Sequence, residues 1–201
     1  MMQGIIRGLA LPLLTALALI GLTGCDSEPT GPFEAPSFSM DGAEAHLAHG
    51  ASHGNAAARA SDQQALAAMR EGTARYHRLE VAVADGFIPL SPCVPGMGIH
   101  YGRPDRVFNP TVVASEPEVL LYQPTENGRY RLVGVEFMVP ADLWYGAENE
   151  SPPSVAGREF DPPNAAHHDP LVASSYTLHA WVWMNNPDGM FAPFNPRVVC
   201  S

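Results

Sequence analysis

The chain has 201 residues, 46% hydrophobic and 16% charged, with 20 prolines and 18 glycines. Eleven Lys and Arg against 21 Asp and Glu leave a formal charge of −10, which excludes the basic stripe that nucleic acids and anionic lipid headgroups require. So many prolines with so few charges point to a loop-rich domain with much β structure, because proline interrupts helix interiors. At the start of the chain, Arg7 and the free amino terminus precede an apolar run from Leu9 to Leu22, broken by Pro12 and Thr15. A bilayer span takes about 20 apolar residues, so this run is short for a membrane helix and fits the core of a signal peptide.

The run ends in Leu22-Thr23-Gly24-Cys25. This tetrapeptide resembles the lipobox of bacterial lipoproteins, in which a branched apolar residue and two small residues precede a cysteine. The resemblance implies lipid attachment to the Cys25 sulfur, removal of residues 1–24, and anchoring on the exported side of a membrane in the bacterial cell envelope. Several acyl chains on one cysteine hold a protein stably, since each buried methylene contributes about 0.8 kcal/mol. The chain has three cysteines. Lipidation of Cys25 leaves Cys93 and Cys200 as an even pair in an oxidising compartment, to be bridged or to remain two free thiols.

Residues 25–60 read as a flexible tether. They hold Pro29, Pro32 and Pro36 and a small-residue stretch from Ala43 to Ala60 without apolar period, together with His46, His49 and His53. From 61 to 201 the pattern is that of one α+β domain. Ser61-Asp62-Gln63-Gln64 has the form of a capping box. Leu66, Met69, Thr73, Tyr76 and Val83 follow at helical spacing up to Asp85-Gly86, where glycine can take the C′ conformation. The expected helix is long and amphipathic and lies on an antiparallel sheet. Phe87 to Gly98 is extended and proline-rich. Glu118 to Gln123 and Tyr130 to Val139 read as a hairpin around Asn127-Gly128, residues 140–170 show no clear element, and Tyr176 to Met184 is the most apolar strand.

Two apolar strands each carry an ionisable residue. Glu136 shares a face with Leu132, Gly134 and Met138, and His179 with Thr177, Trp181 and Trp183, because alternate residues of a strand face together. His100 lies in Gly96-Met97-Gly98-Ile99-His100-Tyr101, where glycines let backbone come close around an imidazole. A buried charge must be paired, neutralised or bound to a metal. Two histidines and a glutamate on separate strands of one sheet suit a divalent ion such as Zn, Fe or Mn with open coordination positions. A His–Glu pair holding two strands in register, with no cofactor, is the other reading. Glu118 is a weaker candidate, as general base on a metal-bound water. Adjacent side chains diverge, so His167-His168-Asp169 does not supply two ligands. No Gly-x-Ser-x-Gly elbow and no glycine-rich phosphate loop occur. Trp144, Trp181 and Trp183 with Tyr101, Tyr122 and Tyr145 could instead present an aromatic surface to a small molecule or an envelope partner.

The blocks Ser91-Pro92-Cys93-Val94-Pro95-Gly96-Met97-Gly98-Ile99-His100-Tyr101, Glu118-Val119-Leu120-Leu121-Tyr122, Leu132-Val133-Gly134-Val135-Glu136-Phe137 and Leu178-His179-Ala180-Trp181-Val182-Trp183 occur in that order. With Asn186-Pro187-Asp188-Gly189-Met190-Phe191 and the closing Asn195-Pro196-Arg197-Val198-Val199-Cys200, the set resembles a family of exported proteins without an assigned activity. The resemblance implies that His100, Glu136 and His179 belong to a shared pattern, and it supplies no reaction. The expectation is therefore a metal-binding envelope lipoprotein, with a non-catalytic binding lipoprotein carrying an aromatic surface as the alternative.

Overall fold

Residues 45–200 are described by a computed structural model, with side chains from residue 56 onward. The signal sequence 1–24, Cys25 and the first part of the tether lie outside the described residues, as do the side chains of His46, His49 and His53.

The first helix, α1, spans Ala45–Thr73, so it begins inside the stretch expected to be tether. Alanine is the strongest helix former and dominates this segment, and backbone propensity acts there without any apolar stripe. The capping-box serine is therefore inside a helix already under way. At the other end the helix does not continue to Asp85. A 3₁₀ turn, Ala74–His77, and an extended Arg78 separate α1 from a short α2, Leu79–Ala84. The Thr73 hydroxyl donates to the Met69 carbonyl at 2.6 Å and accepts the Trp183 indole N–H at 3.0 Å. Such back-bonding to the preceding turn competes with the helix ladder. The interruption rephases the buried stripe: Met69, Thr73 and Tyr76 face inward, but Ala82 replaces Val83, which is exposed. Gly86 follows with φ of 95°, the left-handed conformation expected after the helix end.

Five antiparallel strands form the sheet, in the order β1 (Ile88–Pro89), β2 (Ile99–Gly102), β3 (Val119–Pro124), β4 (Tyr130–Pro140) and β7 (Ser175–Ala180). Three short helices, α3 (Pro104–Val107), α4 (Ala141–Gly146) and α5 (Pro170–Ala173), lie in the connections. A small separate hairpin joins β5 (Ser154–Val155) to β6 (Arg158–Glu159). The stretch 140–170 is thus not featureless. Its hairpin turns on Ala156 and Gly157, both at positive φ, and alanine is not a residue that announces such a turn.

Both faces of β3 and β4 are buried, as their two-sided apolar composition requires. Leu120, Tyr122, Val135 and Phe137 pack with Met69 and Tyr76 on the helix side. Val119, Leu121, Met138 and Trp181 form the opposite layer, closed by Val107 of α3, by Leu171 and Val172 of α5, and by Val198 near the C-terminus. Between Leu121 and Tyr122 the register shifts: Leu121 pairs with Gly134 but Tyr122 with Leu132, leaving Val133 as an extra residue. This bulge turns Leu132 to the helix side, away from the face of Glu136 on which alternation alone would put it. β7 also ends earlier than expected. The chain leaves the ladder after Ala180, so Trp183 packs on the helix side and not beside His179.

Cys93 and Cys200 are bridged, with Cα atoms 5.8 Å apart. The bridge ties the chain end to the loop that enters β2.

Candidate metal centre

Glu136 and His179 are direct cross-strand partners on β4 and β7, and Val119 flanks Glu136 on β3. His100 lies one strand beyond β3, on β2, paired with Leu121, which in turn pairs with Gly134. Gly134 keeps this row low. A Cβ there would lie 2.9 Å from the Ala180 carbonyl oxygen and 3.1 Å from Trp181 Cε3. Gly98 serves the approach of β2 itself: at φ 89° its backbone lies against the Tyr122 carbonyl, where any side chain would collide. The three candidate ligands converge. One donor atom from each of His100, Glu136 and His179 lies within 4.8 Å of the others. The imidazoles meet edge to face with centroids 6.0 Å apart, and the His179 ring is stacked on Trp181.

The site is dry. Side-chain exposure is 12% for His100 and 4% for Glu136, and His179 is buried. His100 Nε2 and Glu136 Oε2 are 3.7 Å apart, too far for a hydrogen bond. Glu136 Oε2 and His179 Nε2 have no hydrogen-bond partner among the described residues. Buried polar atoms are nearly always paired, so these two unpartnered atoms, in a group that could hold a metal ion, leave room for a further partner.

Burial drives every group of the site toward its neutral form. It pushes His100 down to about 4, helped by the charge of His167, and His179 down to about 3, helped by His100. It pushes Glu136 up to about 8, with the Glu118 charge adding to the effect. Glu118 is itself raised to about 8 by burial, although it accepts the Met138 backbone N–H at 3.1 Å and feels Arg106. Glu118 stands outside the converging set of donors.

The remaining sequence candidates are dispersed. His167 and His168 stack on each other in an exposed loop, and Asp169 caps α5 by accepting the Leu171 N–H at 2.9 Å. Trp181 is buried on one side of the sheet and Tyr122 on the other, while Tyr145 is exposed, so the aromatic residues do not share one surface. One residue of the site was not singled out from the sequence. Ser91, in the loop after β1, places its Oγ 2.9 Å from His100 Nδ1. Its signal was its place opposite His100 across the β1–β2 connection, legible only once the short β1 is known.

No family model, curated protein or solved structure matches the chain. The reading of the site rests on its own geometry.

Proposed function

We propose that the protein is an envelope-anchored lipoprotein that binds a divalent cation through His100, Glu136 and His179. The observation that carries the proposal is the pair of buried, unpartnered donor atoms, Glu136 Oε2 and His179 Nε2, beside the imidazole of His100. A cation at about 2.0–2.2 Å from each ligand needs donors roughly 3–4 Å apart, so side-chain adjustments of about 1 Å would close the set. Two imidazole nitrogens and one carboxylate oxygen suit Zn, Fe or Mn. Three protein ligands leave coordination positions open, and a metal held this way supplies Lewis acidity to whatever small ligand reaches it. This chain's own part is to hold the ligands neutral and water-poor until the cation arrives.

Metal analysis of the purified full chain tests the proposal. About one equivalent of a divalent metal is expected, with most of it lost in His179→Ala. A wild-type chain that neither contains nor takes up zinc, iron or manganese would overturn the reading.

The anchor is proposed from Leu22-Thr23-Gly24-Cys25. No helix among the described residues is long and apolar enough to cross a membrane. Cys25→Ser is expected to move the protein out of the detergent phase in a partitioning assay. Unchanged partitioning of the variant would refute lipid attachment at this residue.

A further inference from the structure

Ser91 sits two residues before the bridged Cys93, in a loop whose start is held by the Leu90 N–H donating to the His100 carbonyl at 2.8 Å. Its hydroxyl has three neighbours: the Pro92 carbonyl oxygen at 2.8 Å, the His100 backbone nitrogen at 3.3 Å and His100 Nδ1 at 2.9 Å. A hydroxyl has one proton and two lone pairs. The Pro92 carbonyl can only accept and the His100 backbone N–H can only donate. With the hydroxyl proton on the carbonyl, the second lone pair faces Nδ1 and asks it for a proton.

That arrangement uses every position of the hydroxyl, and it places the ring proton of His100 on Nδ1. A neutral imidazole carries one N–H, so Nε2 is then a free lone pair. Nε2 is the atom turned toward Glu136. The opposite tautomer would aim an N–H at Glu136 Oε2 across 3.7 Å, beyond hydrogen-bond range, and would take the hydroxyl proton away from Pro92.

We propose that Ser91 is a positioning residue of the metal centre, fixing His100 in the Nδ1–H tautomer that presents Nε2 to the cation. The inference rests on the metal reading above. Outer partners of metal-bound histidines orient the ring in this way, and their removal typically weakens metal affinity about 10–100-fold.

The test has two arms on the full chain. In the metal-free protein, nitrogen NMR of the imidazoles is expected to show His100 protonated at Nδ1, and Ser91→Ala to shift it toward the Nε2–H form. In a zinc titration, Ser91→Ala is expected to bind about 10–100-fold more weakly, and Ser91→Thr, which keeps the hydroxyl, to restore affinity. If the wild-type chain takes up none of zinc, iron and manganese, the metal reading falls and Ser91's role with it. If the wild type binds zinc but His100 carries its proton on Nε2, or Ser91→Ala binds as tightly as wild type, the role of Ser91 alone is overturned.

Discussion

Zinc is expected to raise the melting temperature of the full chain strongly at pH 8 and far less at pH 6, and Glu136→Gln is expected to remove most of the increase at both. The reason lies in which ligand still holds a proton. With His100 lowered to about 4 and His179 to about 3, both imidazoles are neutral throughout this range and offer lone pairs. Glu136, raised to about 8, still holds its proton at pH 6, where the cation must displace it, and has given up about half of it by pH 8. Binding that releases one proton gains about tenfold in affinity per pH unit, levelling off near the pKa of the group that releases it. A ligand at 100 times its dissociation constant stabilises by about 2.7 kcal/mol, at roughly 2–4 °C per kcal/mol for a chain of this size.

The metal-free protein should behave in the opposite sense above pH 6.5. A carboxyl whose folded pKa is raised contributes stability that is complete below its unfolded value of 4.5 and is lost as the pH rises through about 8. The two histidines are depressed from 6.5, so their effect is confined to lower pH: stability falls as the pH drops from 6.5 toward 3–4. Between pH 6.5 and 8 only the carboxyls act, and metal-free stability should decline. Glu136→Gln should flatten this decline to the share carried by Glu118. Thermal melts with zinc or with a chelator, at pH 6, 7 and 8, separate the two trends. A zinc effect independent of pH, or one retained in Glu136→Gln, would contradict the assignment of Glu136 as the proton-releasing ligand.

The residues of the site were legible because each breaks a local rule. Glu136 and His179 interrupt strands that are otherwise apolar, and burial makes an isolated charge costly, so facing each other was the economical arrangement. The flanking glycines of His100 marked a close backbone approach, which Gly98 makes against Tyr122. What stayed hidden depended on distant contacts. Nothing near Thr73 in the sequence signals a helix break, and the indole that Thr73 meets there, that of Trp183, is far along the chain. The extra Val133 in β4 changes the face of Leu132 without any turn residue to announce it, and it becomes visible only in the pairing with β3. Ser91 is a loop serine like many others until β1 and β2 bring it to His100. Composition conveyed the fold class, local violations conveyed the candidate site, and tertiary contacts decided the boundaries.

Replacing both Cys93 and Cys200 by serine is expected to cost the domain more than any single core truncation near the site. The two cysteines are 107 residues apart in sequence. In the chain-entropy view, a bridge closing a loop of about 100 residues stabilises by roughly 4.7 kcal/mol, through the freedom it removes from the unfolded chain. The folded tail has other attachments. Gly96 donates its N–H to the Val198 carbonyl at 3.0 Å, Asn195 donates to the Gly96 carbonyl at 2.8 Å, and Val198 is buried in the same layer as Leu121 and Trp181. These contacts keep the tail docked when the sulfurs are gone, so the loss should appear chiefly in the unfolded state. Urea unfolding therefore should show a lower midpoint together with a steeper denaturant dependence, because the unbridged chain exposes more surface when it opens. A double variant with the wild-type midpoint would show that the docked tail carries the stability by itself, and free thiols titrating in the oxidised wild type would remove the bridge from the account altogether.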